Sequence, residues 1–214
     1  MRVKICGLMR LKDVRGALDS DADAVGFVVA SPSSRRSLPL DQARKLMKTV
    51  PILAVKVAVT SATDGKSLLK ICSRLKPDAL QLHQHRPELV RFIRRKHPET
   101  KLILATAISG PSALPRARRA SGYSDAVLAD SPSRDTMGGT GRTHDWNLTA
   151  ILRDRIYPHP LILAGGLTPS NVQAAIKTVR PFAVDVSSGV EKTVGVKDIG
   201  KIRDFIERAK ENRK

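Results

Sequence analysis

Aromatic residues are scarce in this chain: one Trp, two Tyr and four Phe among 214 residues, or 3%. Proteins that grip single-stranded nucleic acid stack bases on aromatic rings, and this chain has no such platform to offer. Cysteine is scarcer still, with only Cys6 and Cys72. Two thiols so far apart build no disulfide framework and match no zinc-ligand spacing, and their use suits a reducing compartment. No apolar run approaches the ~20 residues that a membrane-spanning helix needs. The amino-terminal Met-Arg-Val-Lys carries charge where a secretory leader has an apolar core. The expected setting is the cytoplasm, with no membrane partner. Also missing are GxGxxG, GxxxxGK[ST] and any His/Asp/Glu set at metal-ligand spacing, so the sequence calls for no nucleotide cofactor and no metal.

Acidic residues are in short supply too: 20 against 38 Lys and Arg, for a net charge of +18 and a pI near 10.6. Such a charge attracts polyanions, but it equally describes an enzyme whose outer helices are basic. The basic residues are spread over 91–96, 116–119, 153–155 and 201–214, mostly on segments with helical patterning. That distribution reads as a solvated basic surface, and no specific nucleic-acid partner is expected. With 41% hydrophobic residues and no low-complexity block, the chain can bury one sizeable core. A single domain over 1–214 is expected, its last residues, 211–214, forming a basic tail.

What is present is strict alternation. Short apolar runs predict strands at Val3 to Gly7, Ala24 to Val29, Ile52 to Val59, Ala79 to His83, Leu102 to Ile108, Ala126 to Asp130, Leu161 to Ala164 and Ala183 to Val186. Between them, helical spacing covers Leu11 to Ser20, Leu40 to Thr49, Gly65 to Leu75, Pro87 to Lys96, Pro111 to Ser121, Trp146 to Leu152, Pro169 to Val179 and Lys197 to Lys210. Eight strand–helix units of ~25 residues fit a parallel sheet closed into a barrel. The fold class is therefore α/β, a (β/α)8 TIM barrel, with a doubly wound open sheet as the structural alternative.

In such a barrel, chemistry belongs at the carboxyl ends of the strands. Those ends are polar here: Cys6, Arg35 and Arg36, Gln81 and His83, Asp130, Gly165-Gly166, and Asp185 with Ser187-Ser188-Gly189. Strand alternation puts Lys4 with Cys6, Gln81 with His83, and Ala183 with Asp185 on common faces. Each residue taken singly has a plainer reading: Cys6 as small core, His83 as a satisfied core histidine, Asp130 as a helix cap, Asp185 as a partner of Lys4. Their convergence on one rim favours a site. Three glycine-bearing stretches, Gly138-Gly139-Thr140-Gly141, Gly165-Gly166 and Ser187-Ser188-Gly189, follow the sixth, seventh and eighth strands. Barrels bind phosphate there through backbone N–H groups, so a phosphorylated ligand is expected, with ordinary tight turns as the alternative.

The motifs Lys4-Ile5-Cys6-Gly7, Ser34-Arg35-Arg36, Leu80-Gln81-Leu82-His83, Gly138-Gly139-Thr140-Gly141 with Asp145-Trp146, Leu163-Ala164-Gly165-Gly166-Leu167 with Asn171-Val172, and Val184-Asp185-Val186-Ser187-Ser188-Gly189-Val190-Glu191 occur in this order. Together they resemble the phosphoribosylanthranilate isomerases of tryptophan biosynthesis, nearly end to end. The departures are His144 in place of a usual Phe, Thr60 where an Asn often stands, and Val29 where an aromatic often stands. The resemblance implies a cofactor-free Amadori rearrangement of a small phosphoribosyl substrate by a monomer or homodimer. It implies Asp130 as general acid, Cys6 as general base, and Arg36 as binder of the anthranilate carboxylate. Gln81, His83 and Asp185 would line the site, and Gly139, Gly141, Gly165, Gly166, Ser187, Ser188 and Gly189 would hold the phosphate. Lys4, on the same strand face, is expected to lower the Cys6 pKa and make it the reactive thiol. Two other readings stay open: the related aminoimidazole-ribotide isomerase, where an aspartate is expected in place of Cys6, and a basic nucleic-acid binder.

Overall fold

A computed structural model describes residues 1–83, 85–132 and 143–211. Its first half alternates β1 (Arg2–Ile5), α1 (Leu11–Asp19), β2 (Ala24–Val28), α2 (Leu40–Met47), β3 (Val55–Thr60), α3 (Gly65–Leu75), β4 (Ala79–Leu82) and α4 (Pro87–Lys96). The second half continues with β5 (Lys101–Ala107), α5 (Leu114–Ser121), β6 (Ala126–Asp130), α6 (Trp146–Ile156), β7 (Leu161–Leu163), α7 (Val172–Val179), β8 (Ala183–Val186) and α8 (Ile199–Lys210). Strands β1 to β8 pair in sequence order and all in parallel, and β8 returns to β1 to close the barrel. An open doubly wound sheet is thereby excluded.

Strand alternation sorts the side chains into two cores. Val3, Ile5, Leu80, Leu82, Val127, Ala129, Val184 and Val186 point outward and pack under the helices. The other parity fills the interior with Val57, Val59, Ala79, Ile103, Ala105, Leu128, Ile162 and Ala183. Cys6 is part of that inner cluster, so the face read from the sequence for the end of β1 is the face the fold uses.

Helix starts follow local chemistry. Asp64, Asp145 and Asp198 each accept a backbone N–H from the first turn of α3, α6 and α8, at 2.8, 2.9 and 3.1 Å from Ser67, Asn147 and Lys201. Helix α7 begins at Val172, not at Pro169, because Thr168 to Asn171 form a turn in which the Asn171 side chain accepts the Thr168 N–H at 2.8 Å. Within 111–121 the first turn is a 3-10 segment, Pro111–Ala113, before α5.

Two further expectations need correction. The third strand starts at Val55, and Ile52 and Leu53 stand 97% and 93% exposed in the turn before it. They are apolar but have no neighbouring strand to pair with. The stretch from Lys197 does not open the last helix: Lys197 ends a short antiparallel hairpin, β9 (Glu191–Thr193) and β10 (Val196–Lys197), inserted between β8 and α8. Gly195, at φ +78°, makes its tight turn. Among the described residues no helix is long and apolar enough to cross a membrane.

Candidate active site

A cavity opens at the carboxyl ends of the strands, centred on the barrel interior. It is lined by Cys6, Arg36, Gln81, His83, Asp130, Asp185, Gly165, Gly166, Ser187 and Ser188, together with Ser34 and the apolar Val28, Val59, Ala164, Leu167 and Val186. Every described residue to which the resemblance assigns a place in the site is thus brought together, except Gly189. Gly139 and Gly141 lie outside the described residues. Arg35 is exposed and does not line the cavity.

The floor is ionic. Lys4 Nζ donates to Asp185 Oδ1 at 2.9 Å and to Gln81 Oε1 at 3.1 Å, all three side chains being buried. Parallel pairing of β1 with β8 sets Lys4 opposite Asp185 in register, which makes the contact a consequence of strand order. Burial disfavours the Lys4 charge, but Asp185 and, less strongly, Cys6 outweigh it, and the Lys4 pKa is raised. Gly26 on β2 makes the room: a Cβ there would stand 2.9 Å from Cys6 Sγ and 3.2 Å from Lys4 Cε.

The expectation for Cys6 is overturned. Burial pushes its thiol up, Lys4 pulls it down, Asp185 pushes it up again, and the sum lies above the ordinary value. Lys4 and, less strongly, Lys197 do pull the thiol down, but burial with Asp185 behind it outweighs them. Cys72, also buried, is pushed up to about 11 by burial and then by Glu99. Neither thiol is a ready thiolate at neutral pH.

Asp130 behaves as expected. Burial raises its carboxyl to about 6, although the Ser131 N–H donates to Oδ1 at 2.8 Å and opposes the shift. His83 is pulled down to about 4 by burial and then by Lys4, so it is neutral at pH 7. Gln81 Oε1 is taken by Lys4, which leaves the Gln81 amide nitrogen as donor to His83 Nε2 at 3.1 Å and puts the imidazole proton on Nδ1. His83 is a neutral lining group and no acid.

The β7–α7 and β8–β9 loops form a glycine-lined wall. Gly165 and Gly166 both have positive φ, +83° and +65°, and a Cβ at Gly165 would collide with the Ser131 backbone nitrogen. Asn171 Nδ2 donates to Gly166 O at 3.0 Å and pins the loop. Gly189 sits behind the wall, where a Cβ would run into Leu167 O. Its part is to let the two loops touch. None of the three departures, Val29, Thr60 and His144, lines the cavity. His144 bridges Thr149 Oγ1, 2.7 Å from Nε2, and Ser131 Oγ, 3.2 Å from Nδ1.

Two charged residues were missed. Glu191 accepts from Arg36 Nε and Nη2, both at 2.7 Å, and from Lys197 Nζ at 3.1 Å. The motif that ends in Glu191 assigns it no role, and helical spacing alone makes Lys197 the start of the last helix. A charged residue on each side of the glycine turn was the available signal. Among the described residues no group of three or more His, Cys, Asp or Glu is arranged to hold a metal.

The chemistry on offer is proton transfer on an anionic ligand: a carboxyl tuned towards neutrality, a thiol, a fixed guanidinium and a glycine-rich backbone wall. The family profile described as "N-(5'phosphoribosyl)anthranilate (PRA) isomerase" matches residues 3–208. The chain is 45% identical over 210 residues to the N-(5'-phosphoribosyl)anthranilate isomerase of Methanothrix thermoacetophila, covering 98% of each. It is similar in structure, at a TM-score of 0.86 and 37% identity over 99% of each chain, to a phosphoribosyl anthranilate isomerase crystallised with reduced 1-(o-carboxyphenylamino)-1-deoxyribulose 5-phosphate. A crystal structure of monomers generated from the dimeric isomerase of Thermotoga maritima is equally similar, at a TM-score of 0.86, 36% identity and 99% coverage of each chain.

Proposed function

The chain belongs to the N-(5'-phosphoribosyl)anthranilate isomerase family, an enzyme family of tryptophan biosynthesis, and from that premise we propose how its own residues carry the reaction. The observation that carries the reading is that Cys6 and Asp130 face one cavity, three strands apart around the barrel, with Arg36 and the glycine-lined wall beside them.

Protonated Asp130 gives its proton to the furanose ring oxygen. The C1'–O bond breaks as the anilino nitrogen lone pair closes a C=N bond, leaving an open-chain iminium. The Cys6 thiolate then takes the C2' proton, and the electron pair of that C–H bond moves into C1'–C2' while the C=N π pair returns to nitrogen. The resulting enolamine tautomerises to the 1-amino-1-deoxyketose by proton shift from the C2' hydroxyl to C1'. Only protons move, and no cofactor enters. Arg36 holds the anthranilate carboxylate as a charge-assisted pair. Gly165, Gly166, Ser187 and Ser188 hold the phosphate, with Gly139 and Gly141 assigned to the same role and Gly189 spacing the loops. Gln81, His83 and Asp185 line the sugar's path. The chain works as one barrel domain in the cytoplasm, without a nucleic-acid or membrane partner.

The protonation states run against the naive order. The acid has the lower pKa, about 6, and the base the higher. Between those values the productive pairing, Asp130 protonated with Cys6 ionised, is the minor form of the free enzyme. This fraction is constant across the interval, because each pH unit that raises the thiolate about tenfold lowers the protonated carboxyl about tenfold.

Exposed Ile52 and Leu53 sit at the amino-terminal end of the barrel, away from the cavity, and favour the homodimer over the monomer. Light scattering of Leu53→Glu gives a monomer where the parent gives a dimer; a monomeric parent removes the assignment. In a turnover assay following loss of anthranilate-ribotide fluorescence, Cys6→Ser and Asp130→Asn each lower kcat by ~10²-fold or more with modest change in KM. Full activity in either variant refutes its role. The pH profile of kcat/KM falls below about pH 6, where ionisation of Cys6 is no longer offset by Asp130. It stays level from there up to the thiol pKa, which lies above the ordinary thiol value, and falls beyond it. A decline beginning near neutrality contradicts the assignment.

A further inference from the structure

The β9–β10 hairpin carries charge into the rim of the cavity without touching the cavity itself. Neither Glu191 nor Lys197 lines it, yet both are buried, with side chains 6% and 0% exposed. Glu191 grips Arg36 in a two-pronged pair through Nε and Nη2. Lys197 Nζ shares Glu191 Oε1 and also donates to Ser187 O at 2.9 Å and Ser187 Oγ at 3.4 Å, so one ammonium ties the guanidinium's holder to the phosphate wall. The hairpin is anchored from both sides: Lys201 Nζ donates to Glu191 O at 3.0 Å, and the Lys197 N–H to Asp13 Oδ2 at 3.3 Å. Gly7, at φ +72°, lets Arg36 and Ser187 come together, since a Cβ there would lie 2.7 Å from Arg36 Cδ and 2.9 Å from Ser187 Oγ.

A buried ion cluster is a poor source of stability, because desolvation consumes most of the attraction. What it does supply is a fixed direction for a planar fork of donors. An Arg–Glu pair alone is neutral and attracts an incoming carboxylate weakly. With Lys197 sharing the same carboxylate, the cluster of two cations and one anion keeps a net positive charge next to the cavity. Burial lowers the Lys197 pKa, and Glu191 opposes that shift.

We propose that Glu191 and Lys197 are positioning residues for Arg36, so that a hairpin outside the cavity sets the affinity for the carboxylate-bearing aromatic half of the substrate. The proposal rests on the reading that Arg36 binds that carboxylate. Steady-state kinetics on Arg36→Met, Glu191→Gln, Lys197→Gln and the Arg36→Met/Glu191→Gln double variant test it, with inorganic phosphate as competitive inhibitor to report on the glycine wall. Glu191→Gln raises KM ~10-fold with kcat within ~3-fold and the phosphate inhibition constant within ~2-fold, and the double variant is no worse than Arg36→Met. Glu191→Asp recovers part of the loss. Wild-type KM in Glu191→Gln beside a raised KM in Arg36→Met overturns the proposal. So do additive effects in the double variant, or a parallel loss of phosphate inhibition, which marks general collapse of the rim. Should thermal melting show Glu191→Gln unfolded, Lys197→Gln carries the same comparison. An unaltered KM in Arg36→Met strikes the carboxylate reading itself, a result distinct from the others.

Discussion

The 2.9 Å ion pair between Lys4 and Asp185 in the barrel interior is the contact on which the site depends. Closing β8 against β1 brings the two into register, and both side chains are buried there. Removing one partner leaves an uncompensated buried charge at ~3–5 kcal/mol, whereas the intact pair contributes little net stability. Its value lies in what it does to its neighbours. Lys4 orients Gln81, Gln81 fixes the tautomer of His83, and Asp185 stands close enough to Cys6 to cancel part of the cation's pull on the thiol. The floor of the cavity is therefore a set of mutually satisfied charges, with Cys6 and Asp130 facing the cavity beside it.

Around that floor the rim is built by close backbone approach. Positive φ at Gly165 and Gly166, the loop contact allowed by Gly189, and the meeting of Arg36 with Ser187 over Gly7 all require a missing Cβ. The hairpin after β8 adds the second ionic layer, Arg36 with Glu191 and Lys197, and joins Arg36 to the Ser187 loop. Both layers are low in apolar content and high in fixed dipoles, the composition suited to an anionic substrate whose charge shifts during reaction.

Much of this was legible in the residues. The barrel follows from alternating periods, and the parity of β1, β4, β6 and β8 placed Lys4, Cys6, Gln81, Asp130 and Asp185 on the inner face because a strand has only two sides. What stayed hidden was whatever depends on burial or on distant partners. Ile52 and Leu53 read as strand because apolarity cannot tell a pairing segment from an exposed turn. Glu191 acquires its role only when Arg36, 155 residues earlier, comes against it. Sequence adjacency of Lys4 and Cys6 suggested a lowered thiol pKa, but the desolvation of the sulfur and the proximity of Asp185 reverse the sign, and neither can be read from a spacing of two.

That reversal is the most exposed part of the account, and it can be measured without substrate. Thiolate absorbs near ~240 nm where thiol does not, so below the range in which tyrosines ionise a pH titration of the unmodified protein reports any thiolate directly. With Cys6 raised and Cys72 at about 11, absorbance stays flat from pH 5 to 8 and rises only above it. A step worth one thiolate below pH 7 would show that Lys4 outweighs burial and Asp185, and the reversed protonation order proposed for Cys6 and Asp130 would fall with it.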